Sequence, residues 1–490
     1  MICMRLEDLC SLTPGAKIRC KTNVEPKGVS HDSREVQPGD LFVCLVGEKF
    51  NGHKFAADAM ARGAVAIVSQ NENSVPAGLP GFSCPDTRLA LPSLACAIYG
   101  NPSHQMKLIG IAGTNGKTTS IYLVSSILNA AGWRTGTIGT LGTEVMGENL
   151  PSAHTTPEAD QLQALLARMH QRKAEGVVME VSSHAIAMNR TRGCAFDCAV
   201  FTNLTQDHLD FHGTMDAYFD VKQRLFTEYA EESGKPFFAS VNIDDPRGAL
   251  LSKAVKGRII SFGVHSEADV TAQNIDVRPD STSFIALTPL GRASVNLSIC
   301  GAFQVYNALG AIGVGVGFGI PPEVIAQGLA SLKAVPGRFE SVPTGKGFSV
   351  VVDYAHTPDG LENLLQAARS LHPARVVLVF GCGGDRDRGK RPIMGNIAAR
   401  YADIAILTSD NPRTEDPLAI IKDVLPGMDN GSAKCFVEPD RHNAIALAID
   451  LALDGDIILL AGKGHENYQI VGEDILPFDD RIEAMKILNA

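Results

Sequence analysis

Gly113-Thr114-Asn115-Gly116-Lys117-Thr118-Thr119 lies between an apolar run at 107–111 and a helix-forming run at 117–130. This order predicts a strand, a glycine turn and a helix, a context in which backbone N–H groups and the helix dipole bind phosphate. Lys117 would lie on the terminal phosphates of a nucleotide, and Thr118 on its metal ion. The sequence therefore predicts a nucleotide-binding loop rather than a simple packing turn.

The loop departs from the common nucleotide-binding pattern G-x-x-x-x-G-K-[ST]. The residue five positions before Gly116 is Ile111, and the preceding glycines are Gly110 and Gly113. The glycine spacing is therefore different from that of the usual phosphate loop. We accordingly do not expect an ordinary GTPase or kinase.

Strands and helices alternate on both sides of this loop. The apolar runs 41–46 and 64–68 predict strands with a helix between them, in a small α/β unit that ends near Asn101-Pro102. After the loop, further strands are expected at 176–181 and 198–203. This order is typical of βαβ units and a parallel sheet.

A doubly wound sheet is expected in the C-terminal third of the chain. Residues 271–300 alternate in strand fashion, and Pro336-Gly337 marks a boundary. Beyond it, we expect strands at 348–353, 376–380, 404–408 and 456–460, separated by helices near 360–371, 391–401, 417–425 and 440–453. Sheets of this kind bind ligands at the carboxyl ends of their strands.

Composition and charge exclude several classes of protein. The chain has 490 residues, of which 45% are hydrophobic and 20% charged, so it can form folded cores. Its formal net charge is −10 and it has no run of Lys and Arg, so we expect no nucleic-acid partner. The 11 cysteines are scattered without the spacing of a metal site, which favours a reduced, cytoplasmic protein.

One long stretch, between Arg292 and Glu323, carries no charged residue. It contains the polar residues Gln304 and Asn307, is rich in glycine and ends at Pro321. A buried helix explains this composition better than a membrane span. We therefore expect no stable membrane insertion.

Two segments carry candidate metal ligands. Glu180 ends a predicted strand, where its carboxylate would reach a magnesium ion bound at a neighbouring strand end. Residues 203–212 include His208 and His212 at the spacing of a zinc pair, but no third zinc ligand is evident. Read alone, this segment is also compatible with an ordinary loop that has capping Asn and Asp residues.

Taken together and in order, these motifs resemble those of the Mur ligase family, the ATP-dependent amide-forming enzymes of peptidoglycan synthesis. The resemblance extends over essentially the whole chain. The motifs that carry it are GTNGKTT at 113–119, MEVSSHA at 179–185, FTNLTQDHLDFHGT at 201–214, YFDVKQRLF at 218–226, PGRFE at 336–340, DYAHTPD at 353–359, GGDRDRGKRP at 383–392, DNPR at 410–413 and GKGHE at 462–466.

The resemblance implies an α/β protein of three domains. Residues 1–102 would form an N-terminal α/β domain for the UDP end of the substrate, and residues 103–336 a central P-loop ATPase-type domain with a parallel sheet. Residues 337–490 would form a C-terminal Rossmann-like domain that carries the incoming amino acid. We expect a monomer that acts on small molecules in the cytoplasm.

The resemblance also assigns roles in nucleotide and metal binding. Lys222 matches a lysine that the family carries as a CO2-derived carbamate, which would turn a repelled ammonium into an oxygen ligand. Thr118 and Glu180 would hold one magnesium ion, and His208 with the Lys222 carbamate a second. Further ATP-contacting positions are matched by Asn307, Arg338, Asp353 and His356.

The resemblance also implies contacts to the UDP-linked substrate and to the incoming amino acid. Met188 stands where some relatives carry a polar substrate-contacting residue, and its thioether cannot replace an amide hydrogen bond. The variable segment from Glu48 to Phe50 is a further possible contact region. The positions that match contacts to the UDP-linked substrate are His31, Ser33, Thr155, Thr156, Ser182 and Arg190. Those that match contacts to the incoming amino acid are Arg386, Asp410, Asn411, Pro412, Arg413, Gly462 and Glu466.

The resemblance implies that ATP phosphorylates the D-Glu side-chain carboxylate of UDP-N-acetylmuramoyl-L-Ala-D-Glu, and that meso-diaminopimelate then attacks. Arg413 goes with diaminopimelate in the family, because it can grip the distal carboxylate that lysine lacks. Three alternatives stay open: a lysine-adding enzyme, a P-loop ATPase coupled to a macromolecular partner, and a binding protein without catalysis.

Overall fold

The computed structural model describes residues 4–20, 23–47, 50–152, 154–255, 257–278, 281–429 and 431–489. Glu48 and Lys49, in the variable segment noted above, lie outside the described residues. The chain divides into two compact units, which are described separately. The first comprises Met1–Leu204, His208–Phe262 and Gly310–Ile320, and the second Thr205–Asp207, Gly263–Leu309 and Pro321–Ala490.

Strands and helices alternate through the first unit. Its strands are β1 (Lys17–Cys20), β2 (Gly28–Ser30), β3 (Asp40–Val43), β4 (Ala66–Ser69), β5 (Gly81–Ser83), β6 (Lys107–Ala112), β7 (Thr135–Gly139), β8 (Gly142–Val145), β9 (Glu148–Leu150), β10 (Gly176–Glu180), β11 (Cys198–Phe201), β12 (Phe238–Asn242) and β13 (Arg258–Gly263). Its helices are α1 (Leu6–Ser11), α2 (Ala56–Ala61), α3 (Thr87–Tyr99), α4 (Lys117–Ala130), α5 (Ala159–Gln171), α6 (Ser183–Ala187), α7 (Leu209–His212), α8 (Met215–Gln223), α9 (Glu228–Glu232) and α10 (Pro246–Ala254), with 3₁₀ turns at Gly52–Phe55, Glu72–Ser74 and Pro102–Gln105.

The first sheet of this unit has the order β1-β5-β4-β3-β2, in which β1 is antiparallel to the parallel strands β2 to β5. Leu41 and Val43 of β3 pack with α1 and α3 on one face, and Phe42 packs with α2 on the other. This alternation follows from the two-residue period of a strand. Both faces are therefore covered, as expected for a parallel sheet.

The second sheet of this unit has the order β13-β12-β11-β6-β10-β7-β8-β9. Its strands from β13 to β7 are parallel, and β8 and β9 add an antiparallel edge. Strands β11, β6 and β10 are neighbours, so their carboxyl ends lie side by side. Helix α4 spans Lys117–Ala130, as the sequence predicts.

The remaining elements follow in chain order. They are β14 (Val270–Arg278), β15 (Ser281–Thr288), β16 (Gly291–Leu297), α11 (Ala302–Gly317), α12 (Pro322–Ser331), β17 (Glu340–Val342), β18 (Ser349–Asp353), α13 (Pro358–Ser370), β19 (Val376–Phe380), α14 (Lys390–Tyr401), β20 (Ile404–Leu407), α15 (Pro417–Met428), β21 (Lys434–Val437), α16 (Arg441–Leu451), β22 (Ile457–Ala461), β23 (Tyr468–Val471), β24 (Asp474–Pro477) and α17 (Asp480–Leu488). Strand β15 pairs antiparallel with β14 on one side and with β16 on the other, which accounts for the alternating pattern of 271–300.

The main sheet of the second unit has the order β17-β18-β22-β19-β20-β21, with β17 antiparallel to five parallel strands. Helices α13, α14 and α15 cover one face, and α16 and α17 cover the other. The predicted α/β class with doubly wound parallel strands is therefore confirmed. Strands β17 and β21 and the hairpin of β23 and β24 were not predicted from sequence.

Helix α11 accounts for part of the uncharged stretch. It covers Ala302–Gly317, and Gln304 and Asn307 are both buried within it. Among the described residues, no helix has the length and apolar character that a membrane crossing needs.

Candidate functional site

The predicted phosphate loop joins β6 to α4 and depends on two glycines. Gly116 adopts φ +83° immediately before α4, a left-handed conformation that glycine adopts readily. Gly113 has φ +151°, and a Cβ atom there would lie 1.8 Å from Thr202 Oγ1. The close approach of β6 to the end of β11 therefore requires glycine at position 113.

Two polar residues at the end of β11 hold the loop in place. Thr202 Oγ1 donates to the carbonyl oxygen of Asn115 at 2.7 Å, and Asn115 N–H donates to Asn203 Oδ1 at 2.9 Å. Thr114 N–H donates to the carbonyl oxygen of Asn203 at 2.9 Å. We expected the strand to continue to residue 203, but it ends at Phe201 because the next two residues bond to the loop.

The ammonium of Lys117 lies against the same loop. It donates to the carbonyl oxygens of Gly113 at 3.0 Å and Thr114 at 2.7 Å. Lys117 is half-buried, while Thr118 and Thr119 are buried in the first turn of α4. A cation is thus placed beside the N–H groups of a helix N-terminus, the combination that binds phosphate in nucleotide sites.

Glu180, at the carboxyl end of β10, is buried beside this helix. Its Oε1 accepts a hydrogen bond from Thr118 Oγ1 at 3.0 Å and another from the Thr140 N–H at 2.9 Å. Its Oε2 accepts from Thr140 Oγ1 at 3.3 Å. Thr140 follows β7 and was missed by sequence reasoning, because a threonine in a glycine-rich turn carries no distinctive signal.

Lys222 of α8 reaches the phosphate loop from another direction. Its side chain is almost fully buried, and its ammonium donates to the carbonyl oxygen of Gly113 at 2.8 Å. The ammonium also lies 4.5 Å from the ring centre of Tyr218, whose hydroxyl is 3.3 Å from Thr114 Oγ1. Tyr218, within a quoted motif but without an assigned role, is a second residue that sequence reasoning missed.

His208 belongs to a cluster of histidines near these residues. It has φ +53° and immediately precedes α7, and its ring packs edge-on against that of His184 with 4.6 Å between centroids. His212 Nε2 lies 2.9 Å from Ser183 Oγ. Burial, reinforced by the neighbouring histidines and Arg190, lowers the pKa of His184 to about 4, so this ring is neutral at neutral pH.

Magnesium chemistry fits the groups around Glu180. Hydroxyl and carboxylate oxygens such as those of Thr118 and Glu180 are the ligands that this ion prefers. In the part of the chain that the structure describes, no three His, Cys, Asp or Glu side chains are arranged around a possible metal position. The predicted set is of a different kind, since it combines a threonine, a glutamate, a histidine and a modified lysine.

Three of the residues predicted to contact the UDP-linked substrate lie beside Glu180. Thr156 Oγ1 donates to the carbonyl oxygen of Glu180 at 2.9 Å and accepts from the Ser182 N–H at 3.1 Å. Thr155 Oγ1 lies 3.1 Å from Thr140 Oγ1. The structure thus brings three of the six predicted residues to the same strand end as the candidate magnesium ligand.

Arg190 extends this group of residues. Its Nη1 donates to the carbonyl oxygen of Thr156 at 3.2 Å, and its Nε is 2.9 Å from Glu158 Oε1. Its Nη2 donates to the sulfur of Met188 at 3.4 Å. Met188 therefore contacts the guanidinium of Arg190 through its sulfur and provides no amide at this position.

His31 and Ser33 line a cavity of about 730 Å³ beside the first sheet. His31 Nδ1 is 2.8 Å from Asp160 Oδ2, and its backbone N–H donates to the same carboxylate oxygen at 2.9 Å. The carboxylate of Asp160 raises the pKa of His31 despite the opposing effect of burial. Glu158, which pairs with Arg190, also lines this cavity, so the cavity adjoins the residues around Arg190.

Four predicted nucleotide-contacting residues belong to the second unit. Asn307 Nδ2 donates to Gln304 Oε1 at 2.9 Å, so this buried amide has a hydrogen-bond partner within α11. The Arg338 guanidinium lies 4.9 Å from the ring centre of Tyr354. Asp353 accepts from the Phe339 N–H at 2.7 Å, and its desolvation raises the pKa of the carboxyl group.

His356 lies just beyond Asp353, the last residue of β18. Its Nδ1 lies 2.8 Å from the carbonyl oxygen of Tyr354. The ammonium of Lys390 donates to the carbonyl oxygen of His356 at 2.8 Å. The rings of His356 and Tyr354 lie 4.5 Å apart. The residues of DYAHTPD are thus held together at the carboxyl end of β18.

The residues predicted to bind the amino acid gather at the carboxyl ends of β20 and β22. Asp410 is buried, and its Oδ2 has no hydrogen-bond partner among the described residues. Gly462 has φ +114°, and a Cβ atom there would lie 2.7 Å from that oxygen. A buried carboxylate oxygen without a partner is costly, so it marks a position that a ligand donor can satisfy.

Arg413 adjoins Asp410 on the same loop. It has φ +53°, and its Nη1 donates to the carbonyl oxygens of Gly384 at 2.9 Å and Asn411 at 3.4 Å. Asn411 Nδ2 donates to Glu466 Oε2 at 2.8 Å. A cation and two carboxylates therefore come together, the set that recognises a zwitterion.

The other predicted residues of this group differ in exposure. Pro412 is buried between Asn411 and Arg413, whereas Arg386 is exposed and donates only to the carbonyl oxygen of Asp385, at 3.2 Å, among the described contacts. Lys463 was not predicted, although it lies within a quoted motif. It is fully buried and bonds to Asn411 and Glu466.

Comparison with known families agrees with this architecture. Residues 25–99 match the catalytic domain of the Mur ligase family, residues 111–315 match the Mur ligase middle domain, and residues 337–464 match the Mur ligase glutamate ligase domain. The chain belongs to the Mur ligase family.

Three of the similar proteins share one name. The chain is 44% identical over 483 residues to a UDP-N-acetylmuramoyl-L-alanyl-D-glutamate–2,6-diaminopimelate ligase of Geobacillus thermodenitrificans, covering 98% of each chain. It is 46% identical over 465 residues to the protein of that name from Syntrophomonas wolfei, covering 95% of each. A solved structure of a ligase with this name matches with a TM-score of 0.69 and 32% identity, over 100% of this chain and 99% of the other.

Proposed function

We propose that this protein joins meso-diaminopimelate to the D-Glu side-chain carboxylate of UDP-N-acetylmuramoyl-L-Ala-D-Glu, with hydrolysis of ATP to ADP and phosphate. The single observation that best supports the choice of amino acid is that one short loop carries both the guanidinium of Arg413 and a buried carboxylate oxygen of Asp410 that accepts no hydrogen bond from the described residues. Diaminopimelate ends in both a carboxylate and an ammonium, which match this arginine and this carboxylate. The names of the similar proteins support the same assignment.

Amide formation from a carboxylate needs activation. In the proposed reaction the γ-phosphoryl group of ATP passes to the D-Glu carboxylate to give an acyl phosphate, and the free amine of diaminopimelate then attacks and expels phosphate. The first step brings two anions together. Lys117 and the N–H groups at the start of α4 would offset that repulsion, because positioned cations and dipoles stabilise developing charge.

Magnesium would be held by Thr118 and Glu180, and a second ion by His208 with a carbamate on Lys222. Bound there, the ions would neutralise phosphate charge and orient the phosphoryl group. Burial of Lys222 against Tyr218 supports the carbamate, since this side chain has little contact with water. Thr140 would keep the carboxylate of Glu180 fixed in orientation through two hydrogen bonds.

The UDP-linked substrate would bind along His31, Ser33, Thr155, Thr156, Ser182 and Arg190. The cavity beside the first sheet supports this placement, because His31 and Ser33 line it. Glu158, which pairs with Arg190, lines it as well. Asp160 and Glu158 would orient His31 and Arg190 respectively. The ATP contacts of Asn307, Arg338, Asp353 and His356 rest on the family resemblance.

We also propose the division into domains at 1–102, 103–336 and 337–490, a monomeric state and a cytoplasmic location. The location follows from the substrates, since ATP and a UDP-linked precursor are cytoplasmic nucleotides. A lysine-adding activity is disfavoured by Arg413, because lysine would leave its guanidinium without a carboxylate, a loss of roughly 1–3 kcal/mol or more.

Phosphate release tests this proposal. The protein is mixed with ATP, Mg²⁺ and UDP-N-acetylmuramoyl-L-Ala-D-Glu, and phosphate is measured with meso-diaminopimelate, with L-lysine and with no amino acid. We expect release that depends on the UDP-linked substrate and is stimulated mainly by diaminopimelate. Release that needs neither substrate would favour an ATPase coupled to another partner, and preference for lysine would refute the role of Arg413.

A further inference from the structure

Lys463 is a lysine with no exposed surface, at the carboxyl end of β22. Its ammonium donates to Asn411 Oδ1 at 3.3 Å and to Glu466 Oε2 at 3.2 Å, and it lies 5.6 Å from the ring centre of Tyr468. Burying an ammonium costs several kcal/mol unless it is paired. Lys463 is therefore held at this position by the two groups that it joins.

Asn411 is the second member of this arrangement. Its Oδ1 accepts both from Lys463 and from the Ile470 N–H at 2.9 Å, and its Nδ2 donates to Glu466 Oε2 at 2.8 Å. Two donors satisfy an amide oxygen. The Asn411 amide thus links the loop at 410–413 to the loop at 462–466 and to β23 through hydrogen bonds.

Glu466 receives both of these bonds on one oxygen. Lys463 and Asn411 donate to Oε2, whereas Oε1 accepts no hydrogen bond within the part of the chain that the structure describes. The side chain of Glu466 is 15% exposed. One carboxylate oxygen is therefore fixed by the protein, and the other remains for a ligand ammonium.

We propose that Lys463 is a positioning residue that determines amino-acid specificity through Glu466 and through the charge of the site. This inference rests on the function proposed above. Arg413 and Lys463 carry two positive charges opposite the two carboxylates of Asp410 and Glu466. The distal end of diaminopimelate is a zwitterion without net charge, whereas that of lysine carries one positive charge, so an uncompensated carboxylate would favour lysine.

Two other cations, Lys390 and Arg441, interact electrostatically with Asp410, and neither bonds to Lys463 among the described contacts. Arg441 forms a fully buried pair with Asp480 at 2.7 Å, and Lys390 donates to the carbonyl oxygen of His356. Removing the ammonium of Lys463 therefore makes the site more negative by one unit. It also frees Glu466 Oε2 from one of its two donors.

The test compares Lys463→Met, which keeps the apolar length of the side chain, with Lys463→Arg, which keeps the charge. We measure kcat and KM for meso-diaminopimelate and for L-lysine, and KM for ATP. For Lys463→Met we expect the ratio of kcat/KM for diaminopimelate over lysine to fall by about tenfold or more, mainly through KM for diaminopimelate. Lys463→Arg should recover most of that ratio, and KM for ATP should change by less than about threefold in both.

Lys486→Met serves as the matched control, because Lys486 is an exposed lysine of α17 that pairs with Glu483 at the surface. A second neutral variant, Lys463→Gln, covers the case in which Lys463→Met does not fold, since its amide keeps a polar group beside Asn411 and Glu466. Because this variant also leaves the site more negative by one unit, we expect it to lower the ratio as well.

An unchanged ratio in folded Lys463→Met, or in Lys463→Gln if only that variant folds, would overturn the role of Lys463 while leaving the proposed function intact. A fall of equal size in the control would also overturn it. If the unaltered protein uses neither amino acid, the proposed function fails and this inference fails with it, and the wild-type measurement alone shows this.

Discussion

The ammonium of Lys222 lies 2.8 Å from the carbonyl oxygen of Gly113, to which it donates a hydrogen bond. The bond connects the last turn of α8 with the first residue of the phosphate loop, although the two residues are 109 positions apart. Lys117 donates to the same carbonyl oxygen at 3.0 Å. Two ammonium groups thus meet at one atom of the loop. The proposed carbamate would make the Lys222 side chain negative, so that it would attract Lys117 and not repel it.

Replacement of Lys222 by alanine should abolish turnover, with a fall in kcat of at least about a hundredfold, because the proposed oxygen ligand is lost. Added acetate should restore part of the activity by occupying the space of the carbamate. Phosphate release with and without acetate measures both effects. Lys253→Ala, which changes an exposed lysine of α10, is the control and should retain activity. Full activity of Lys222→Ala without acetate would refute the carbamate.

Replacement of Glu180 by glutamine tests the proposed magnesium site. Glutamine keeps the size of the side chain, and its amide oxygen can still accept the hydrogen bond from the Thr140 N–H, but it lacks the charge that holds a divalent ion. We expect the Mg²⁺ concentration for half-maximal activity to rise by roughly 10- to 100-fold. Glu231→Gln, at an exposed glutamate of α9, should leave the Mg²⁺ titration unchanged. An identical titration for Glu180→Gln would exclude Glu180 as a ligand.

Replacement of Arg413 by alanine should weaken diaminopimelate binding specifically. Loss of a hydrogen-bonded guanidinium should raise KM for diaminopimelate by about 10- to 100-fold and KM for ATP by much less. Steady-state kinetics with each substrate varied in turn measure the two effects. The matched change is Arg400→Ala, at an exposed arginine of α14. Equal, small effects on both KM values would contradict the specificity argument.

Acid should destabilise the second unit through His465. Burial, followed by the charges of Arg338 and Arg481, lowers the pKa of His465 to about 4 from the model-compound value of 6.5. Between these values the unfolded chain binds more protons than the folded one, so this contribution to stability is complete above about pH 6.5 and is lost as the pH falls toward about 4. His465→Gln should reduce the fall in Tm over this range. Parallel Tm curves for the variant and the unaltered protein would contradict this prediction.

Elements with strong local signals were predicted well from the sequence. Helix α4 begins at Lys117 because Gly116 adopts a left-handed conformation, and β19 is a continuous apolar run that ends before Gly381. Both boundaries depend on residues next to each other in the chain. The strand at 198–203 was predicted too long, because Thr202 and Asn203 bond to a loop that is distant in sequence.

The candidate site was predicted through motifs, and its supporting contacts were not. Glu180 carries a recognisable signal at a strand end, whereas its partner Thr140 lies forty positions away in a turn. Lysines are mostly exposed, so nothing in GKGHE indicates that Lys463 is buried. Such pairings depend on tertiary packing, which a single sequence does not specify locally.

Product analysis by mass spectrometry tests the central claim most directly. The protein is incubated with ATP, Mg²⁺, UDP-N-acetylmuramoyl-L-Ala-D-Glu and equal concentrations of meso-diaminopimelate and L-lysine. The account predicts that the UDP-linked product carries diaminopimelate almost exclusively and forms together with an equal amount of ADP. A product that carries mainly lysine, or ADP formation without any UDP-linked product, would contradict it.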